Sequence, residues 1–445
     1  MVNQIKMENM FVWIVGGKME EDYSILREEV TDGLVRIPEE LSEEEKIKNA
    51  DKIKIVLGEA YEKTIEVLRQ YLELREEYYP LVTTWIMGTY LHKEFNAYPY
   101  LFVNAMRGSG KTKFLKLISK LANNGELISS LKEAVLFRDC KNKTICIDEF
   151  ESIQSKDNQA LRELLNAGYK KGNKVKRLKK VRKVDGEDYE VESFELYTPI
   201  CMANIWGMNE VLADRCITMV LEKSDNQRIL RLTEDFDNIQ EIKWAKKVFL
   251  NNLVQLCSFF SVGGIYSKWN CFILDKYTQT TQHTSNTLNT SFYKDIKLNQ
   301  NELEIFNKID STGINGRNLE LMLPLLIISR LIGDKVFDDM LDVCNILTKE
   351  KKVEEMTESR DVMVFDFVSR QLSNEYESVK NLTWKFREFI GEGENEEKWV
   401  NDKWFGRALK RLSLVLDKRR VSHGIEVRLN ISKGIEKMNI FRGDK

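Results

Sequence analysis

The apolar positions change period along the chain, and the changes divide it into stretches of different architecture. Residues 39–46, "EELSEEEK", read as an acidic helix start. From there to about residue 92 apolar residues recur at helical spacing, at Ile53, Val56/Leu57, Ala60/Tyr61, Ile65, Leu68 and Tyr71/Leu72, which predicts two or three helices. Between residues 99 and 222 short apolar runs alternate with helical stretches: "YLFVNA", "KTKFLKLISKLA", "ELISS", "LKEAVLFRD", "KTICIDEF", "DNQALRELLNAG", "TPICMAN" and "RCITMVL". That alternation predicts a parallel α/β sheet. Residues 226–350 return to helical periodicity, interrupted at 278–291 by the uncharged polar stretch "TQTTQHTSNTLNTS", which reads as a loop. The expected organisation is a helical N-terminal region over 1–92, an α/β core over 93–225, a helical segment over 226–370 and a small basic domain over 371–445.

Composition narrows this picture. Acidic and basic residues number 70 and 68 of 445, so net charge excludes neither acidic nor basic partners, and only its distribution informs. A charged fraction of 31% and five prolines fit a soluble, helix-rich protein. The seven cysteines form no Cys-x-x-Cys pair, and three histidines cannot build a His-rich metal site. Reduced cysteines packed as small hydrophobes are expected. The apolar run Met10–Val15 is too short for a signal peptide or a membrane span, so a cytoplasmic protein with no membrane partner is expected.

The chemistry concentrates in "AMRGSGKTKFLKLISKL", residues 105–121, which follows an apolar strand and opens a helix. The phosphate-loop pattern is Gly, four residues, then Gly-Lys-Ser/Thr; Ala105 stands at the first glycine, and Gly110, Lys111 and Thr112 are intact. The loop Met106, Arg107, Gly108, Ser109 and Gly110 would aim backbone N–H groups at an anion. Lys111 would reach the β/γ-phosphates and Thr112 would hold Mg2+. The bland alternative is a flexible glycine-rich turn with a surface lysine. "KTICIDEF" then places Asp148 and Glu149 at a strand end, 36 residues after Thr112. Asp148 there would complete the Mg2+ shell and Glu149 would act as general base toward the attacking water, which argues for hydrolysis. Asn204 ends another strand, where its amide would hold water or phosphate; its alternative is a turn residue. Arg215 precedes "CITMVL" and would project onto a neighbouring subunit's γ-phosphate; its alternative is a surface pair with Asp214.

In their order and distances, the phosphate loop, "CIDEFE", the strand ending at Asn204 and "ADRCITMVL" resemble the AAA+ ATPase core. The resemblance is to its helicase branch, which includes the superfamily-three viral and minichromosome-maintenance helicases and the helicase halves of archaeal plasmid and virus primase-helicases. It covers about residues 80–340. It implies a P-loop core with a central parallel sheet and a helical lid, with Asp148 and Glu149 as the Walker B pair, Asn204 as sensor 1 and Arg215 as arginine finger. "GINGRNLELMLPLL" resembles the sensor 2 segment, making Arg317 a second γ-phosphate contact. ATP would bind between the subunits of a homo-oligomer, a hexamer. Ala105 departs from the pattern mildly. No primase-type domain precedes the core, which leaves priming outside the resemblance.

Two basic stretches point to nucleic acid. Nine of the fourteen residues 170–183 are Lys or Arg and none is acidic. Asp185-Gly186 supplies a turn signal, and the chain returns through Tyr189, Val191 and Ser193. In the resembling helicases a hairpin here enters the central channel and grips DNA, a role suited to Lys174, Lys176, Arg177, Lys179, Lys180 and Arg182. Val175, Leu178, Val181 and Val184 recur every third residue, a poor fit to a strand, so a solvated loop is the alternative. In "NDKWFGRALKRLSLVL", Lys403, Arg407, Lys410 and Arg411 share one helical face, with Phe405, Ala408/Leu409, Leu412 and Leu416 opposite. "RRVSHGIEVRLNI" reads as a hairpin turning at His423-Gly424, with Val427, Leu429 and Ile431 alternating. Helix and hairpin together resemble a winged helix offered to duplex DNA, with a protein-binding winged helix as the alternative. The expected function is an ATP-dependent DNA helicase or translocase in the replication of a mobile element or virus. The alternatives are an ATP-driven initiator or loader that does not unwind DNA, and a DNA-binding regulator.

Overall fold

The computed structural model describes residues 35–129, 140, 142–148, 150, 158–183, 186–205, 208, 210–260, 264, 268–273, 276, 298, 300–391, 400–421 and 424–442. Glu149, His423, the whole run 131–139 and the polar stretch 278–291 therefore lie outside the described residues. The chain divides into two compact units, one ending at Asn345 and the other running from Ile346 to Lys445.

The first unit is built on a parallel sheet. Its strands are β1 (Tyr100–Ala105), β2 (Gly125–Ile128), β3 (Thr144–Ile147), β6 (Ile200–Asn204) and β7 (Cys216–Leu221), in the order β2–β3–β6–β1–β7. The α/β core expected from the alternating apolar runs is present. β1, β3 and β6 are continuous apolar runs buried along almost their whole length, as strands covered on both faces must be. Because every neighbouring pair is parallel, the carboxyl ends of β1, β3, β6 and β7 meet at one edge. Register pairs Asn104 with Asn204 and Ala105 with Leu221 there. Such an edge is where open α/β sheets bind ligands.

Between the helix Gln159–Gly168 and β6 the chain leaves the sheet as an antiparallel hairpin of two ten-residue strands, β4 (Lys174–Lys183) and β5 (Gly186–Glu195). The basic segment is thus a strand despite its three-residue apolar spacing.

The helix Glu43–Tyr71 starts at a capping box, with the Ser42 backbone N–H donating to Glu45 Oε2 at 2.9 Å and the Glu45 N–H to Ser42 Oγ at 3.4 Å. The helix Tyr78–Thr89 is buried on every side and ties to the entrance of β1. Trp85 Nε1 donates to the Pro99 carbonyl at 2.9 Å, and the Tyr98 hydroxyl donates to the Trp85 carbonyl at 2.6 Å. A side chain at Gly88 would collide with that hydroxyl, so only glycine fits. All seven cysteines are buried and unbridged, and Cys146 and Cys201 are register partners on β3 and β6.

In the second unit, β8 (Glu377–Ser378), β9 (Val415–Val421) and β10 (Gly424–Leu429) form an antiparallel sheet in the order β8–β10–β9. The helices Val379–Phe389 and Asp402–Arg411 pack Phe386 and Phe405 face to face, with centroids 4.8 Å apart. The helix Asp402–Arg411 buries Phe405, Ala408 and Leu409 as its periodicity predicts. It ends before Leu416, which lies exposed in β9, and Ile431 opens a further helix, Ile431–Arg442, instead of extending the hairpin. Among the described residues no helix is long and apolar enough to cross a membrane.

Candidate nucleotide site and nucleic-acid surfaces

β1 ends at Ala105, and the chain turns through Met106, Arg107, Gly108, Ser109 and Gly110 before the helix Lys111–Leu121 begins. The Ser109 N–H donates to the Met106 carbonyl at 3.2 Å, closing the turn. Gly108 and Gly110 have φ of 77° and 88°, left-handed backbone that glycine adopts without strain. The amino end of the helix, with Lys111 and Thr112 in its first turn, is the electropositive end of its dipole and suits an anion. Across the edge, Thr112 Oγ1 donates to Asp148 Oδ2 at 2.6 Å, while the Asp148 N–H is held by the Ile128 carbonyl at 2.9 Å. Loop and strand end are thereby joined through two hard oxygen donors. Asn204 is fully buried at the end of β6. Glu149 is outside the described residues. Among the described residues no group of three His, Cys, Asp or Glu is placed to hold a metal ion; Thr112 and Asp148 bring two oxygens together.

Lys223, which belongs to none of the motifs, also stands beside this loop. Because Ala105 and Leu221 are register partners, the segment after β7 runs beside the loop after β1. A Cβ at Gly108 would lie 3.4 Å from Lys223 Cε and 3.9 Å from its Nζ. The segment is pinned: Asn226 accepts from the Arg228 N–H at 3.1 Å, and Lys113 Nζ donates to the Ile229 carbonyl at 2.8 Å. No periodicity marks Lys223; only the strand order brings it to the loop.

Arg215 and Arg317 lie elsewhere. Arg215 immediately precedes β7 and so belongs to the amino edge of the sheet, a six-residue strand or roughly 17 Å from the loop. Its Nε donates to the Asn166 carbonyl at 3.0 Å and its Nη1 to the Val211 carbonyl. Arg317 reaches Asp214 at 3.3 Å, Glu320 and the Tyr169 hydroxyl. Both arginines are therefore at the edge away from their own chain's phosphate loop.

In the hairpin, register sets the basic strand against an acidic one: Lys174–Glu195, Arg177–Glu192, Lys179–Glu190 and Arg182–Glu187 are directly opposed. The excess of lysine and arginine over 170–183 is a property of β4 alone and leaves out these partners. In the second unit, Lys403, Arg407 and Lys410 are exposed on the helix Asp402–Arg411. Arg411 instead makes a bidentate pair with Asp361, at 2.6 and 2.7 Å. β9 adds Lys418 and Arg420, exposed and absent from the expected set, whereas Arg419 donates to Glu426 at 2.7 Å.

No protein-family model and no curated protein matches this chain. Among solved structures, the A-form apo structure of the NrS-1 C-terminal region (305–718) is similar at 11% identity and a TM-score of 0.31, over 83% of this chain and 74% of that one. A second structure of that region, also the apo A form, gives 9% and 0.30, over 90% and 78%. At such scores the likeness carries no argument about fold or function.

Proposed function

We propose that the chain is an ATPase of the AAA+ helicase branch that couples ATP hydrolysis to movement on DNA. The hydrogen bond from Thr112 to Asp148 carries this reading, because it brings the end of the glycine loop and the end of β3 to one point. Hydroxyl and carboxylate oxygens are the hard donors Mg2+ prefers, and Gly108 and Gly110, at positive φ, carry no Cβ to bar a phosphate from the loop backbone. The residues therefore fit ATP and Mg2+. The loop residues 106–110 would bind phosphate through backbone N–H groups, and Lys111 and Lys223 would neutralise its charge. Thr112 and Asp148 would hold Mg2+, whose charge would neutralise the leaving phosphates. Glu149 would take the proton of the attacking water, and Asn204 would orient that water. Arg215 and Arg317, at the opposite edge, would serve a neighbouring copy's nucleotide, which makes a homo-oligomeric ring the working form. The hairpin would grip the strand in the ring, and the second unit, read as a winged helix, would hold duplex.

ATP hydrolysis with and without DNA, beside strand displacement on forked DNA, tests the proposal. Lys111→Ala should weaken nucleotide binding, while Glu149→Gln should retain it and lose turnover by at least about 100-fold, as loss of a general base does. A Glu149→Gln protein hydrolysing at the parent rate removes Glu149 as the base. DNA-stimulated hydrolysis without displacement makes the protein a loader or initiator instead.

A further inference from the structure

The hairpin carries two large aliphatic side chains where water would ordinarily exclude them. Leu178 and Val191 are directly opposed across β4 and β5, and they are 71% and 61% exposed. Strand alternation puts successive residues on opposite faces, so the cross-strand register sorts the whole hairpin into two sides. One side holds Lys174, Lys176, Leu178, Lys180 and Arg182 of β4 with Glu187, Tyr189, Val191, Ser193 and Glu195 of β5. The other holds Val175, Arg177, Lys179, Val181 and Lys183 with Gly186, Asp188, Glu190, Glu192 and Phe194.

The two sides differ in charge and in exposure. The Leu178 side has four basic residues against two acidic ones, and Glu195 is already committed, accepting from the Gly172 N–H at 2.8 Å at the hairpin's root. The other side is balanced, with three basic and three acidic residues, and Arg177 and Lys179 stand directly opposite Glu192 and Glu190. At the root, Lys174, Lys176, Ser193 and Glu195 of the Leu178 side are exposed, whereas Val175, Glu192 and Phe194 are half-buried and Val175 packs on the core under the sheet.

We infer that the Leu178 side alone is the nucleic-acid-binding side of the hairpin and that it takes a single strand, with Leu178 and Val191 against unstacked bases and Lys174, Lys176, Lys180 and Arg182 along the phosphates. The inference rests on the reading of the hairpin as a nucleic-acid grip. Charge favours this occupant over a second copy of the chain: an excess of ammonium and guanidinium groups around an aliphatic pair repels its own duplicate and attracts a polyanion. The aliphatic pair selects single strands, since duplex presents phosphates at its rim and keeps its base faces stacked.

The experiment measures binding of a fluorescent oligothymidylate, and of a duplex of equal length, across a salt series. The full chain carries Lys403→Ala, Arg407→Ala and Lys410→Ala throughout, to remove the second unit's contribution. Lys176→Ala/Lys180→Ala should flatten the slope of log affinity against log salt by about 1.4, two contacts at about 0.7 each for single strands. Arg177→Ala/Lys179→Ala should leave the slope unchanged. Leu178→Thr/Val191→Thr, which keeps strand-forming residues, should weaken single-strand binding about tenfold, the scale of two lost aliphatic contacts. It should leave both the salt slope and duplex binding unmoved, because burial of apolar area releases no counterions. Parent-like binding by the Thr pair overturns the inference, as does a lowered oligomeric state with unchanged DNA affinity, which would make the pair a contact between copies. Equal flattening by the two alanine pairs overturns the one-sided grip and leaves the grip itself standing. If none of the three variants changes binding, the grip reading falls with it.

Discussion

Arg215 and Arg317 bring their guanidinium groups to the same ring, that of Tyr169, at 5.4 and 5.0 Å from its centre. The ring orients two cations at one place on the amino edge of the sheet, 148 residues of chain joining Arg317 to its tyrosine. Two arginines so placed cannot assist the phosphate loop of their own chain, and complementation between copies tests this. Arg215→Ala and Arg317→Ala proteins should each lose hydrolysis alone. Each mixed with Lys111→Ala protein should regain part of it, because one interface in the mixture joins an intact loop to intact arginines. No recovery in mixed oligomers shown to form counts against action across an interface.

Lys223 should matter to nucleotide in proportion to phosphate charge. Lys223→Ala should weaken binding of a fluorescent ATP analogue about tenfold, as loss of one charge-assisted contact does, and AMP binding much less. Lys223→Arg should restore most of the loss. Unchanged affinity in the alanine variant, beside a Lys111→Ala protein whose binding is weakened, removes Lys223 from the site.

Arg411 should part company with its helical neighbours. Its bidentate pair with Asp361 makes it a brace between the helices Arg360–Ser369 and Asp402–Arg411. Arg411→Ala should lower stability by less than about 1 kcal/mol, given how exposed the pair is, and leave duplex affinity near the parent value. Lys403→Ala/Arg407→Ala/Lys410→Ala should flatten the duplex salt slope by nearly 3, about 0.9 per phosphate contact. A slope that moves with Arg411 and not with the other three reverses the assignment.

Acid should destabilise the first unit through His92. Burial pushes its imidazole down to about 4, and its Nδ1 sits 2.9 Å from the Thr89 carbonyl. The unfolded chain takes up the proton first, so this contribution is complete above about pH 6.5 and is lost as pH falls toward 4. The loss is on the order of 3 kcal/mol at most. Urea denaturation at pH 7 and pH 5 should show a smaller drop in His92→Gln than in the parent. An equal drop means other groups carry the acid sensitivity.

The sheet was legible because buried parallel strands write themselves as unbroken apolar runs: "YLFVNA" matches β1 residue for residue. The hairpin was harder to read. A three-residue apolar spacing argues against a strand when one face is assumed to be buried. Here it puts Val175 and Val181 on one side and Leu178 on the other, so the irregular spacing and the exposed leucine are one fact. The start of the last helix does carry a local signal, since Asn430 accepts from the Lys433 N–H at 3.1 Å as a capping residue, but the alternation of Val427, Leu429 and Ile431 reads as a strand running through it. Lys223 beside Gly108, Arg317 on Tyr169 and Arg411 on Asp361 had no local signal. Their partners are 50 to 148 residues away, set by strand order and helix packing that no periodicity encodes.

The buried cysteines give the sheet a built-in clock. Cys146 and Cys201 sit side by side in its interior, and burial raises the Cys201 thiol well above its ordinary range, so the reactive thiolate is suppressed as well as shielded. An alkylating reagent meets these sulfurs only when neighbouring strands separate. The pace at which label accumulates, read by mass, therefore times the opening of the same strands whose ends carry Asp148 and Asn204. Any ligand that clamps those ends should slow the clock, with no probe added to the chain.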